Sequence, residues 1–474
     1  MPYSSAVSRL YRLAAELYVR PGEPRRKFEL DQMRVLMKQL GDPQKTYPSV
    51  LIAGTNGKGS TASTLSSILA AAGYKVGLYT SPHLVRVNER IQLLQSNAQS
   101  SAETTVARHD IEDPVFSDTF EQVEAAAHAC VRDGRLPADP SFFEAMTAMA
   151  FCYFAAEKVD IAVLEVGMGG RLDATNIVDP LLSIITDISL DHTEWLGPTV
   201  AAITREKAGI LRAGVTMVTL PQHPEANQVL GEIAVPMGVK GVNAADFIPS
   251  RQAEAETDGN RNRYSIEWAG KPLRVDSPLA GQHQQRNIAL ALAAALELRT
   301  YHGYNIGLDA AAAGVRQTQW PGRLESYPAT EARPRIVLDV GHNPAGAWAL
   351  RMALSHLAEE ASSRTLIFSC LNDKPADELA QILFPLFDRV ILTPVDSPRS
   401  STLTQLSAAA QPTGTTIEEC ASPYDALDLA NRLTPHDGLI VATGSVLLVG
   451  AVRSTLELVD ELSLQESHGA AQPA

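Results

Sequence analysis

The sequence has few cysteines, no long apolar run and no excess of positive charge, and each shortage argues against a class of protein. Its four cysteines, Cys130, Cys152, Cys370 and Cys420, lie far apart and form no C-x-x-C pair. That spacing suits a reduced cytosolic chain better than a disulfide framework or a zinc site. No stretch reaches the roughly eighteen consecutive apolar residues of a membrane-spanning helix. The N-terminal segment from Met1 to Leu30 shows no apolar core followed by a small-residue cleavage site, so no secretory signal is read there. A formal net charge of −14 argues against a general nucleic-acid binder, which would show a basic patch or stripe. It leaves room for a small anionic ligand in a locally positive pocket. The expectation is a soluble, cytoplasmic protein with no membrane and no nucleic-acid partner.

What is present is an ordinary globular balance. Apolar residues make up 45% and charged residues 20% of 474, enough for two or three domains with ample core. The first informative stretch is "VLIAGTNGKGSTAS", Val50 to Ser63. It resembles a phosphate loop but departs from G-x-x-x-x-G-K-[ST]: Gly59 follows Lys58, and Ile52 stands where the first glycine belongs. Around it the order is clear. Ser49 to Ala53 is an apolar run fit for a buried strand, and Leu65, Ile68, Leu69 and Ala72 repeat at helical spacing. Gly73 stops the helix and "KVGLYT" reads as the next strand, closing a βαβ unit. Glycines between a buried strand and a helix bring backbone N–H groups toward an anion, and Lys58 adds a cation that reaches terminal phosphates.

The alternation continues. "VDIAVLEVG", "LLSIITDI" and "VTMVTL" read as strands covered on both faces, and "PTVAAITREKAGIL" as a helix. Residues 95–114 are polar and aperiodic and are expected to form an extended surface loop, and 249–263 are similarly polar. "LRTYHGYNIGLD" is the expected hinge. From Arg335 the pattern restarts with "RIVLDV", "TLIFSC", "RVILTP" and "GLIVATGS", and the last dozen residues read as a frayed tail. The fold class is therefore α/β. A P-loop ATPase-like domain with a parallel sheet is expected over 1–300, and a smaller Rossmann-like α/β domain over 301–474. Sites are expected at the carboxyl ends of strands.

Magnesium in such a site needs oxygen ligands. Ser81 follows "GLYT", Glu144 lies in an apolar helical run, Glu165 ends "IAVLEV", and His192 follows "SIITDI". Singly, each has a plainer explanation: a turn serine, a helix-face acid, a capping or core histidine.

Taken in order, "AGTNGKGS", "TSPHLVRVNERI", "FFEAMTAMAF", "LEVGMGGRLDATN", "DHTEWLG", "REKAGI", "WPGRLE" and "DVGHNPAG" resemble the folylpolyglutamate synthase/dihydrofolate synthase family, within the Mur-type ATP-dependent amide ligases. The resemblance spans about residues 20 to 455. It implies that Gly54, Thr55, Asn56, Gly57, Lys58, Gly59 and Ser60 form the ATP phosphate loop, in which Gly59 is normal. It also implies Mg²⁺ on Ser81, Glu144 and His192, and a carbamylated Lys207. Asn287, Arg323 and Asp339 are expected at the nucleotide, Arg323 from the second domain. His342 and Ser445 are expected near the incoming glutamate, and Arg90, Asp173 and Ala174 at the pterin site. Family members commonly read D-G-A-H-N-P where this chain has Asp339-Val340-Gly341-His342-Asn343-Pro344. The implied activity is ATP-dependent ligation of L-glutamate to dihydropteroate or folate by a monomer, with Lys58, Lys207 and His342 as catalytic residues. Two alternatives stand beside it: a Mur-type ligase acting on another carboxylate, and a nucleotide-binding switch without ligation.

Overall fold

A computed structural model describes residues 1–14, 30–97, 104–249, 256–257, 261–357 and 361–469. The chain divides into two compact units. The first comprises Met1–His83, Val87–Leu279 and His283–Trp320; the second comprises Leu84–Arg86, Ala280–Gln282 and Pro321–Ala474.

In the first unit an eight-stranded sheet has the order β4-β3-β2-β5-β1-β6-β7-β8. Its strands are β1 (Ser49–Ala53), β2 (Val76–Tyr79), β3 (Ile91–Asn97), β4 (Thr105–Asp110), β5 (Ile161–Glu165), β6 (Leu182–Ile185), β7 (Thr216–Thr219) and β8 (Gly241–Asn243). From β2 to β8 every neighbouring pair is parallel, whereas β3 and β4 add an antiparallel edge. The apolar runs are continuous because both faces are covered. In β1, Val50 and Ile52 join a core with Leu65, Ile68 and Leu69 of the helix Lys58–Ala71, while Leu51 and Ala53 join the core on the opposite face. One-residue alternation thus feeds two cores, as the pleat requires.

Residues 95–114 differ from the loop expected there. β3 runs to Asn97 and β4 pairs with it from Thr105 to Asp110, so the segment builds a hairpin on the sheet edge; residues 98–103 lie outside the described set. Polar strand residues are tolerated here because an edge strand needs only one buried face. A second hairpin pairs β10 (Asn262–Trp268) with β11 (Lys271–Ser277), with β9 (Glu256–Thr257) alongside β10. Trp268 is buried in it and donates Nε1–H to Leu292 O at 3.1 Å.

"LRTYHGYNIGLD" stays within the first unit. The helix Leu308–Arg316 that follows packs on the helix Lys58–Ala71, with Gly314 seated on Ile68 so closely that a Cβ would stand 2.3 Å from its Cα. The chain passes to the second unit at Trp320–Pro321, beyond the residue-300 boundary read from the sequence.

The second unit carries a six-stranded sheet in the order β12-β13-β17-β14-β15-β16. These strands are β12 (Glu325–Tyr327), β13 (Arg335–Leu338), β14 (Arg364–Phe368), β15 (Arg389–Leu392), β16 (Thr416–Glu419) and β17 (Leu439–Thr443). All pairs are parallel except β12–β13. The last helix, Val446–Gly469, extends past the point where a frayed tail was expected. Among the described residues no helix is long and apolar enough to cross a membrane.

Candidate active site

β2, β5, β1 and β6 are neighbouring parallel strands, so their carboxyl ends share one edge of the first sheet. The loop after β1 is fastened to the one after β6. Thr55 N and Asn56 N donate to Asp187 O at 2.8 and 3.2 Å. Thr55 Oγ1 donates to Ser189 O at 3.0 Å and accepts from Ser189 N at 3.1 Å. Asp187 is itself held by Arg286, whose Nε reaches Oδ2 at 2.8 Å and whose Nη2 reaches Oδ1 at 2.5 Å. Gly57 is the left-handed N-cap of the helix Lys58–Ala71, with φ 88°, and Asn287 Oδ1 would lie 2.1 Å from any Cβ there. The departure at Gly59 has a steric cause. A Cβ at that position would stand 2.4 Å from Trp320 Cζ2, so the serine or threonine of the common phosphate loop has no room. Ser60 is buried in the same first turn.

Two ammonium groups converge on one carbonyl. Lys58 Nζ donates to Gly54 O at 3.2 Å and to Thr55 O at 3.1 Å, and Lys207 Nζ donates to Gly54 O at 2.7 Å. Lys207 projects from the helix Val200–Ala208 and is buried. Burial, reinforced by the charge of Lys58, pulls its pKa down to about 7. The amine is therefore substantially neutral near pH 7, the nucleophilic form of a lysine. Asp191 and Asp173 oppose the shift through their charge.

The loops after β2 and β5 meet next to it. Glu165, buried at the end of β5, accepts from Ser81 N at 3.2 Å. Asp173 accepts from Gly167 N at 2.9 Å, Met168 N at 3.1 Å and Thr175 N at 3.0 Å, and caps the short turn Ala174–Ile177. Burial pushes its carboxyl up, and these hydrogen bonds work against the shift. Ala174 is buried behind it. Asp173 Oδ2 and Ser81 Oγ each lie 3.4 Å from where a Cβ on Gly167 would be, with the Phe143 ring next at 3.8 Å. Glu144 is buried at the third position of the helix Phe142–Ala156, where Oε2 accepts from Ser141 N at 2.8 Å in a capping box. His192, in the left-handed region at φ 50°, starts the short helix Thr193–Leu196.

Arg90 is buried and lies over the rings of Phe142 and Phe143, at 5.1 and 5.8 Å from their centroids. Its Nε donates to His83 Nδ1 at 2.9 Å, while His83 Nε2 meets Tyr11 OH at 3.1 Å. Burial, then the Arg90 charge, lowers the His83 pKa to about 3, so this imidazole is neutral. Among the described residues Arg90 Nη1 has no hydrogen-bond partner, and it is buried next to two aromatic rings.

The second unit has its own cluster at the carboxyl ends of β13 and β17. Asp339 Oδ2 accepts from Leu324 N at 3.0 Å and Oδ1 from Gly341 N at 2.9 Å, which ties the "WPGRLE" and "DVGHNP" loops together. Arg323 sits in the first of these, its Nη1 donating to Gly322 O at 3.1 Å. His342 is held by its Nδ1 on Val340 O at 2.9 Å. Ser445 is buried and accepts from Leu447 N at 3.2 Å, the hydrogen bond of a helix N-cap.

Residues 115–295 match the Mur ligase middle domain, and 322–446 match the glutamate ligase domain of Mur ligases. The chain is similar to the dihydrofolate synthase/folylpolyglutamate synthase of Bacillus subtilis, 33% identical over 90% of this chain and 95% of that one. It belongs to the dihydrofolate synthase/folylpolyglutamate synthase family. The corresponding protein of Mycobacterium tuberculosis is 35% identical over 90% of this chain and 89% of its own. Among solved structures, folylpolyglutamate synthase of M. tuberculosis complexed with ADP and AMPPCP superposes with a TM-score of 0.81 at 32% identity, covering 96% of this chain and 98% of that one. Escherichia coli FolC in complex with DHPP and ADP gives 0.78 at 29% identity, covering 97% and 99%.

For a family whose ligases use ATP, the donor chemistry decides whether a magnesium ion suits this site. Among the described residues no group of three or more His, Cys, Asp or Glu side chains is placed to hold a metal. Ser81, Glu144 and His192 supply a hydroxyl, a carboxylate and an imidazole, too few donors to complete a shell, which fits an ion that takes its remaining ligands from phosphate and water, as Mg²⁺ does. Sequence reasoning missed Asp187, Arg286, His83 and Trp320. Arg286 had a readable signal, a cation beside Asn287 opening an apolar helix; Trp320 had none beyond its place in "WPGRLE".

Proposed function

We propose that this protein is an ATP-dependent ligase that joins L-glutamate to dihydropteroate, to folate (poly)glutamates, or to both, through an acyl phosphate. The observation that carries the reading is the convergence of Lys58 and Lys207 on the Gly54 carbonyl, beside the helix N-terminus that follows Gly57. In the first step a pterin-linked carboxylate attacks the γ-phosphate of ATP. Two anions must meet, so fixed positive potential supplies most of the stabilisation. Lys58 leaves its own loop carbonyls for the phosphate oxygens, and the N–H groups of the first helical turn complete the cradle. Bound Mg²⁺ adds charge neutralisation at the transferring phosphoryl group; Ser81, Glu144 and His192 are the residues proposed to hold it. Lys207, as its carbamate, is proposed to orient that ion: its neutral amine adds to CO₂ and releases one proton, so that the buried group becomes an anion.

In the second step the α-amine of glutamate displaces phosphate. His342, anchored through Nδ1, is proposed to present Nε2 to the glutamate, and Ser445 to border the same pocket. Arg323, Asp339 and Asn287 are assigned to the nucleotide. Arg90, with its unpartnered Nη1 and its two aromatic rings, is assigned to the pterin, alongside Asp173 and Ala174. The deciding assay is ATP- and Mg²⁺-dependent incorporation of L-glutamate, with dihydropteroate and a reduced folate monoglutamate supplied in separate reactions. Activity with both defines a bifunctional enzyme, and activity with one assigns the branch. Silence with both, while ATP binds, refutes the proposal.

A further inference from the structure

Within the first unit the phosphate loop is steadied by an arginine that lies outside it. Thr55 N and Asn56 N both donate to Asp187 O, at 2.8 and 3.2 Å, and Asn56 and Asp187 form an isolated antiparallel bridge. The residues flanking Asp187 are fixed to one side chain: Gln222 Nε2 donates to Thr186 O at 3.1 Å, and Gln222 Oε1 accepts from Ile188 N at 3.0 Å. Arg286 closes the frame. Its Nε and Nη2 grip the Asp187 carboxylate, and Nη2 also donates to Pro221 O at 3.1 Å. The loops that follow β1, β6 and β7 are thereby joined through one guanidinium. Arg286 belongs to the first unit and stands on the helix Gln282–Tyr301. Its neighbour Asn287 donates to Gln284 Oε1 at 2.8 Å and abuts Gly57.

This frame assigns the donors around the loop. The N–H groups of Thr55 and Asn56 are committed to Asp187 O, so the anion cradle consists of those in the first helical turn after Gly57, which have no intrahelical acceptor. The charge of Arg286 is committed as well. An arginine beside Asn287 reads along the chain as one more phosphate cation, yet its fork is already matched to a carboxylate. With side chains 32% and 38% exposed, the Arg286–Asp187 pair adds little to stability. What it supplies is direction: it holds the backbone of Asp187, and with it the carbonyl on which the phosphate loop hangs.

We propose that Arg286 is a positioning residue for triphosphate binding: through Asp187 it holds Thr55 and Asn56 so that the helix N-terminus after Gly57 faces the phosphates, and it does not itself bind them. This rests on the reading of Gly54 to Ser60 as the ATP phosphate loop.

The test is a double-mutant cycle on the full-length protein. The dissociation constant of a non-hydrolysable ATP analogue with Mg²⁺ is measured by calorimetry for wild type, R286A, R286K, D187A and R286A/D187A, together with KM for ATP and for L-glutamate. A displaced binding loop costs about tenfold or more, so R286A and D187A should each weaken the analogue by that factor and raise KM for ATP to match. KM for glutamate should stay within about twofold of wild type, and because the two residues act through one link, the double variant should lie within about twofold of the weaker single variant. R286K should recover less than about half of the loss, because a point charge does not reproduce the fork. Analogue binding by R286A within about twofold of wild type, multiplying effects, or a parallel rise in KM for glutamate would each overturn the proposal. Full rescue by R286K, or tighter binding in D187A that R286A abolishes, would overturn it too, since both mark a cation that meets phosphate directly. The binding constants require no ligation and decide even where the glutamate assay is silent. If wild type binds no analogue, the phosphate-loop reading has failed, and amide hydrogen exchange decides the link by itself. Faster exchange at Thr55 and Asn56 in R286A, with β5 unchanged, upholds it, and unchanged exchange refutes it.

Discussion

Changing Gly59 to serine would give the chain the G-K-S of the common phosphate loop, and we expect it to damage the protein. A Cβ at residue 59 would stand 2.4 Å from Cζ2, 2.8 Å from Cε2 and 3.0 Å from Nε1 of Trp320. All three are inside van der Waals contact, and the ring cannot swing aside cheaply, because Arg108 lies over it and Ser63 holds the adjacent Gln319 carbonyl. Overpacking of this kind costs about 1–3 kcal/mol. The strain falls on the helix turn whose N–H groups face phosphate, so ATP affinity should drop by a similar free energy, roughly five- to a hundredfold. Urea unfolding and calorimetric titration with an ATP analogue measure the two effects. The decisive variant is G59S/W320L: removing the indole makes room, so stability should return toward that of W320L alone. If G59S unfolds and binds like wild type, or if W320L gives no relief, the steric account of Gly59 is wrong.

Lys207 gives a pH-dependent prediction. Without carbamylation its folded pKa is about 7 against an ordinary 10.5, so between those values the unfolded chain binds the extra proton and stability rises with pH. The penalty, of the order of a few kcal/mol, is full below about pH 7 and fades toward pH 10.5. In carbon-dioxide-free buffer K207M should therefore resist urea better than wild type at about pH 6, with the gap closing at alkaline pH; bicarbonate should restore activity to wild type only. Equal stability at pH 6 would remove the buried-cation reading. For D339A two backbone N–H groups, buried Leu324 and half-buried Gly341, lose their acceptor, and stability of the second unit should fall by about 1–3 kcal/mol in a denaturant titration. A loss below 1 kcal/mol would mean that water or a neighbour replaces the carboxylate. For S445A the lost N-cap bond predicts about 1 kcal/mol less stability. A raised KM for glutamate in the same variant would add substrate contact to capping, whereas a change in stability alone would confine Ser445 to the cap.

The sequence by itself determined the α/β class and the positions of the central strands. Short continuous apolar runs between helical repeats have few other ways to bury both faces; β1, β5, β6, β13, β15 and β17 lie within the runs that marked them, and β14 starts one residue before its run. It also placed Gly54 to Ser60 on a strand-to-helix turn and, through ordered motifs, identified the family. The hairpin was hidden because no residue of β4 is fully buried, so polar residues 105–110 carry no alternation that would distinguish them from a loop. Its partner residues are equally invisible along the chain: Arg108 meets Ser63 across 45 positions, and Lys207 meets Gly54 across 153. The reason for Gly59 is of the same kind, a ring 261 residues away pressed against a backbone. The low pKa of Lys207 likewise comes from burial and from Lys58, neither of which its neighbours in "TREKAGIL" announce. Local patterns fix which elements form, because periodicity is local. Which charges are desolvated, which donors go unpaired and which glycines cannot change were decided only by packing, because those depend on groups that the fold alone brings together.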